Sequence, residues 1–356
     1  MLPFALFLFL IPKLFSASTE NPLVKVRIME LSHPVQVLVT QSGHVHHCHV
    51  SHGHMTVDGE PLASFHLAQD SSARFQVEAP PRHGTYAGSL DVFPDPKGKT
   101  LVLINTCRLA DYVLGVTASE IGQGADQGAY VRALGTVVLS FALENRFRHK
   151  KDGYDFCDYT HCQVFKGLPQ DPTPFAKDLE GIQALPGKGH FFSRCCGGQI
   201  DRADWVWGKA GPASQPLLCR VDGKDLCASD PLYRWQAEIP WAHVEAAVAA
   251  CCDACEGPLL GFEPSARSPA GRLLALRVSF QLGARTLDAA RFFSAYGKLY
   301  GWNDLHSLNF TVAHRGEMAV FEGKGDGHGV GLCQSGALEL ARRGWSSGRI
   351  LDFYFP

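Results

Sequence analysis

GDGHGVGLCQSGALELARRG, from Gly325 to Gly344, is the stretch around which the chain is organised. Gly325, Gly327, Gly329 and Gly331 alternate with other residues, so the backbone there can take positive φ or pass close to another surface. Leu338 and Ala341 then predict a short helix. The glycines alone fit a site lining or an ordinary strand crossing. His328, Cys333 and Gln334 are polar groups that a turn by itself does not require.

Outward from that loop, the 356 residues, 46% hydrophobic and 19% charged, suffice for a substantial core in one large domain or two. A formal net charge of −2 with interspersed signs gives no basis for a nucleic-acid or anionic-membrane partner and suits an uncharged substrate. Residues 1–18 hold an apolar run, Leu2 to Ile11, then Lys13 and Ser16-Ala17-Ser18, and read as a signal peptide. The run lacks a basic start, so an uncleaved signal anchor, the one membrane attachment expected, stays open. Either way the body is expected outside the cytoplasm, in a periplasm, a cell envelope or secreted. Twelve cysteines suit that compartment, although their pairing is not deducible. Cys219 and Cys227 flank Asp222-Gly223 and could close a small loop, while Cys251, Cys252 and Cys255 are too crowded to pair only among themselves.

The order of elements predicts an α+β fold: a strand-rich N-terminal portion (19–105), then a core (106–356) with mixed sheets around a helical hairpin, or one continuous domain over 22–356. VKVRI, VQVLV, FQVEA and TLVLI are short β-branched runs between Gly, Pro and Asp turns. Among them His44, His46 and Cys48 share one strand face and His47 and His49 the other, which fits either a metal site or a solvated hairpin. From Leu109 the period turns helical. Leu109, Tyr112, Val113 and Val116 form an apolar stripe whose next member is Glu120. A carboxyl on a buried stripe keeps its proton more readily, as a general acid must, although a Glu at a helix end also fits a simple ion pair. A second helix is expected from about Gln127 to Arg148, its core side Tyr130, Val131, Leu134, Val138 and Phe141, ending in a solvated basic run, Arg146 to Lys151.

GYDFCDYTHCQVFKG, Gly153 to Gly167, brings Cys157, His161 and Cys162 together, with His149 just upstream. A disulfide or a zinc site completed by His161 or His149 both fit. Farther on, Ser193 lies beside the vicinal pair Cys195-Cys196, and Trp205, Trp207, Tyr233 and Trp235 offer possible sugar platforms or core aromatics. Leu168 to Pro186 reads as a loop or domain seam, Pro240 to Cys255 as an amphipathic helix, and Gly271 to Phe280 and Ser307 to Val312 as strands. No G-x-S-x-G or H-E-x-x-H motif is present.

Four motifs in one order resemble the SpoIID/LytB family of bacterial peptidoglycan proteins. Tyr112-Val113-Leu114-Gly115-Val116 with Glu120 is similar to its YLxGVVxxEM, and CDYTHCQVFKG to its C-D-x-T-x-x-Q-V-Y-x-G. FSRCCGG, from Phe192, resembles F-x-S-x-x-G-G; GHGVGLCQSGA, from Gly327, with Ile350 to Tyr354, resembles the family's terminal motifs. The resemblance implies a lytic transglycosylase that cleaves peptide-stripped glycan strands to 1,6-anhydro ends, or a non-catalytic binder that stimulates an N-acetylmuramoyl-L-alanine amidase. It implies Glu120 as the acid, and Ser193, Gln163, His328, Gln334, Gly329 and Gly331 as the cleft. Zn2+ would sit at Cys157 and Cys162 with His161 or His149. Val137 and Ala142 depart from the family's usual Gln and Arg, Cys333 stands where Ser is frequent, and Asp326 and Ser335 where Trp is frequent.

Overall fold

A computed structural model describes residues 22–124, 126–187, 189–207, 217–252 and 257–356. The expected leader at residues 1–18 lies outside the described residues. The chain divides into two compact units, Met1–Lys188 and Gly189–Pro356. The division falls just after the proline-rich seam segment, and the N-terminal sheet and the helical hairpin share the first unit, whereas the sequence reading drew a line at 105/106.

In the first unit, alternation of β-branched and polar residues builds a nine-stranded sheet. Val24, Val26 and Ile28 point inward from the strand Leu23–Ile28, with Leu23 and Lys25 outward. Short hairpins follow one another because Ser42-Gly43, His52-Gly53 and Asp58-Gly59 all take positive φ at both residues, as the tight turns between twisted strands demand. At one side of the sheet, Leu23–Ile28 lies between antiparallel Leu101–Arg108 and parallel Phe156–Cys157.

The strand Leu101–Arg108 runs directly into helix α1, Leu109–Glu120. Arg108 and Asp111 brace this junction with paired bonds of 2.7 and 3.0 Å. Every residue of α1 from Leu109 to Thr117 is buried, so the expected stripe is part of an all-round apolar surface. Helix α2, Gly128–Asn145, buries the five expected core residues and is shorter than the expected span. Its basic tail is not wholly solvated: Arg146 leaves the helix, and its guanidinium donates to the Leu23 carbonyl at 2.8 Å.

The second unit packs two three-stranded antiparallel sheets and helices Trp241–Ala249 and Ala289–Tyr300 around Phe262, Leu276, Phe292, Phe310 and Phe321. The helix expected over 240–255 begins at Trp241, after Pro240 closes the strand Trp235–Pro240, and ends at Ala249. Leu273–Phe280 and Phe310–Arg315 are the expected strands, and Gln334–Arg342 the expected short helix. The class is α+β, as expected.

Candidate functional site

Glu120 is the last residue of α1 and is half-buried. Its carboxylate oxygen Oε1 accepts the Val164 N–H at 3.1 Å, and neighbouring Ser119 Oγ accepts the Lys166 N–H at 3.1 Å. Two backbone donors of one segment thus fasten the strip Gln163 to Lys166 across the C-terminal end of α1. Gly115 permits the crossing: a Cβ there would lie 2.6 Å from the Gly167 carbonyl and clash with the Phe165 ring. Gln163, one residue before Val164, is buried, and its side-chain amide meets no hydrogen-bond partner among the described residues. A buried amide without partners is costly, so this is a group available to a ligand or a water.

The other end of that strip is a cluster of four ligand-type side chains. His149, Cys157, His161 and Cys162 offer atoms that all lie within 4.8 Å of one another. Cys157 Sγ is 3.6 Å from His161 Nδ1, and Cys162 Sγ is 3.4 Å from His149 Nε2 and 3.9 Å from His161 Nδ1. Zinc bonds of about 2.0 Å to nitrogen and about 2.3 Å to sulfur set tetrahedral edges of about 3.3 to 3.8 Å, so the donor set fits the ion. Both cysteines are free thiols, so the disulfide alternative is not realised here. His149 and His161 both join, where the sequence reading left one or the other. The remaining ring nitrogen of His149 faces Asp152 at 3.5 Å, the outer-shell carboxylate that orients metal-bound imidazoles. Four protein ligands would leave no open position on a bound zinc, the pattern of a structural site.

The sheet holds this cluster from below. Buried Asp158 accepts the Met29 N–H at 2.8 Å and pairs with Arg82 at 2.8 Å, and Asp155 accepts the Lys25 N–H at 2.8 Å. Burial pushes the Asp158 carboxyl up from its ordinary range, against the pull of Arg82.

In the second unit the structure gathers the other expected residues on the glycine-rich loop and its neighbour. Ser193 and Cys333 pair in parallel strands, Cys195 bridges Asp326, and Asp201 bridges Val330. The glycines allow this seam. A Cβ on Gly331 would strike the Phe191 carbonyl, and one on Gly329, at φ +64°, would strike the Arg272 guanidinium. His328 accepts the Val330 N–H at 3.0 Å on Nδ1, which leaves Nε2 as the protonated nitrogen of the neutral ring. Burial, helped by the Arg272 charge, lowers its pKa to about 4, so it is neutral at physiological pH. Exposed Trp207 lies 5.3 Å from the His328 ring, while Trp235 belongs to the core and donates to the Gly325 carbonyl at 2.9 Å. Gln334 is buried in the first turn of its helix, and the buried Ser193 hydroxyl has no partner among the described residues.

The expected site residues therefore fall into two groups: Glu120, Gln163 and the Cys/His cluster in the first unit, and Ser193, His328, Gly329, Gly331 and Gln334 in the second. Residues that sequence reasoning missed include Arg272 and Asp201, a buried ion pair at 2.9 Å beneath Gly329. Asp326 was noted only as a departure, yet burial raises its carboxyl against the opposing charges of Arg194 and His306. In the His-rich hairpin, His44 and His46 gather with Asp58, and Cys48 is not the third member. Its sulfur points into the core, where burial lifts the thiol to about 12. A cleft of about 830 Å3 in the second unit, lined by Arg220, Tyr233, Trp235, Arg267, Glu322 and Lys324, includes two of the aromatics read as possible sugar platforms and none of the expected acid, cleft or metal residues.

Residues 97–183, which span α1, α2 and the Cys/His loop, match the SpoIID family of Stage II sporulation proteins. Residues 216–331 match a domain of unknown function, DUF8618. The chain is also 25% identical over 278 residues to an uncharacterized protein of Brachyspira hyodysenteriae, covering 76% of this chain and 70% of that relative. The matched segment suggests a cell-wall related role in sporulation.

Proposed function

We propose that the protein is an extracytoplasmic lytic transglycosylase that cuts the MurNAc–GlcNAc linkage of peptidoglycan glycan strands, with Glu120 as its one acid and base. The observation that carries this reading is the hold on Glu120: a half-buried carboxyl at a helix end, one oxygen fixed at 3.1 Å by a backbone N–H. A fixed carboxyl beside a strip with an unpartnered buried amide, Gln163, suits a polar neutral substrate. Protonated Glu120 gives its proton to the glycosidic oxygen as that C–O bond breaks. The resulting carboxylate then takes the proton of the muramic C6 hydroxyl, whose oxygen bonds to the anomeric carbon and closes the 1,6-anhydro ring. One proton moves in and one moves back, so neither water nor a second carboxylate is consumed. His149, Cys157, His161 and Cys162 would hold a zinc ion that supplies rigidity to the strip bearing Val164.

A non-catalytic glycan binder that stimulates an amidase is the second reading. It is favoured by Val137 and Ala142, which are 0% and 1% exposed where the resemblance has polar side chains, so α2 offers no polar group there. Mass spectrometry of peptide-free glycan strands separates the two. The enzyme leaves anhydro ends that vanish in Glu120→Gln while glycan pull-down persists. Binding without anhydro ends from the unaltered chain would replace it with the second reading.

A further inference from the structure

We propose that Cys196, Cys219, Cys227 and Cys333 form a closed tetrathiolate site for one zinc ion in the second unit, separate from the Cys/His cluster of the first. All four are buried, and their sulfurs all lie within 4.8 Å of one another. Cys196 Sγ and Cys227 Sγ are 3.7 Å apart. Four zinc–sulfur bonds of about 2.3 Å set tetrahedral edges of about 3.8 Å, whereas disulfide sulfurs lie about 2.05 Å apart. The spacing is that of ligands around an ion.

Local structure explains how distant cysteines converge. Cys196 leaves the strand Phe192–Ser193 and enters a turn at Gly197-Gly198, with φ of 71° and 98°. Cys219 and Cys227 sit at the base of a tight hairpin turned by Asp222-Gly223 and closed by the Leu226 N–H to the Cys219 carbonyl at 2.9 Å. Cys333 ends a strand parallel to Phe192–Ser193 and occupies the N-cap of helix Gln334–Arg342.

The surroundings suit thiolates. The Cys196 N–H donates to Cys333 Sγ at 3.3 Å, and the Tyr354 hydroxyl lies 3.5 Å from Cys219 Sγ. The helix N-terminus places positive partial charge at Cys333. Arg272, itself buried, brings a cation to the Cys196 carbonyl at 2.7 Å. On binding, the four thiols release their protons to solvent, and four thiolates around Zn2+ leave a doubly negative centre that these donors stabilise. With no open position the ion is structural. It ties the strand bearing Ser193 to the end of the glycine-rich loop that carries His328.

The test uses the full chain carrying Cys157→Ser and Cys162→Ser, which removes the thiolates of the first cluster. Elemental analysis is expected to find one zinc per chain, and X-ray absorption at the zinc edge four sulfurs at about 2.3 Å. Adding Cys227→Ser is expected to abolish that zinc, and Cys227→His to retain it. Should the serine variant fail to fold, the histidine variant decides through its spectrum, which then reads three sulfurs and one nitrogen. Absence of zinc, zinc content indifferent to Cys227→Ser, or disulfides among the four cysteines in non-reducing peptide mapping would each overturn the assignment.

Discussion

The two cysteine clusters make an instructive pair. His149, Cys157, His161 and Cys162 belong to one loop, include an exposed imidazole, and stand next to the strip that holds Glu120. The four cysteines of the second unit are all buried, and the bond between Cys196 and Cys333 spans 137 positions. A site within one loop borrows its geometry from the sheet beneath it. A site gathered from strand, hairpin and helix cap instead defines how those elements meet, so its loss should be felt as stability, while loss of the loop site should be felt at the carboxyl.

That contrast can be broken most forcefully at Glu120. Glu120→Gln keeps size and removes the titrating proton, so anhydro-product formation is expected to fall by about 100-fold or more, with glycan retention and melting temperature unchanged. A variant that still cuts at near the original rate would remove the first unit from the chemistry. Next comes Gly329→Ala in the second unit, which drives a methyl group into Arg272 and disturbs its pair with Asp201. Breaking a buried pair of this kind costs about 3 kcal/mol. Urea unfolding should register it; a shift of only a few tenths would mean that the loop simply moves aside.

A smaller effect sharpens the comparison from the other side. Cys162→Ser should slow glycan cleavage about tenfold, as losses around a metal site commonly do, by loosening the Gln163 to Lys166 strip. Hydrogen exchange in Met318–Gly323 should not change. Acceleration there would show that the two clusters are not independent. The smallest expected effect is protonic. His328 has its pKa lowered to about 4 from 6.5, so in the pH range between these values the unfolded chain takes up the proton more readily than the fold does. Its stabilising contribution is present above 6.5 and is lost as pH falls toward 4. From about pH 7 to about pH 5.5 the loss is about 1 kcal/mol. The difference between the wild-type and His328→Gln unfolding curves across that range measures it, and parallel curves would contradict it.

Local rules made much of this legible. Alternating valines identified Leu23–Ile28, the Leu109, Tyr112, Val113 and Val116 spacing identified α1, and the close spacing of Cys157, His161 and Cys162 identified the loop cluster. These depend on neighbours in the chain. The tetrathiolate was illegible for the opposite reason: Cys219 and Cys227 read as a small closed loop, and nothing local connects them to Cys196 or Cys333. Likewise the alternating glycines read as permitting a close approach, but the group that Gly329 makes room for, Arg272, lies far away in the chain and no local rule names it. The helix after Pro240 ends at Ala249 and not at Cys255, because a continuing run of small, mostly apolar residues carries no stop signal of its own.

The strand Leu23–Ile28 has a consequence for biogenesis. It pairs on one side with Leu101–Arg108 and on the other with Phe156–Cys157, and its Lys25 N–H satisfies a carboxylate 130 positions later. A chain synthesised amino end first therefore holds this segment idle until both partners have emerged. The ligand-bearing loop cannot dock before then, so a partly synthesised chain has no assembled Glu120 strip.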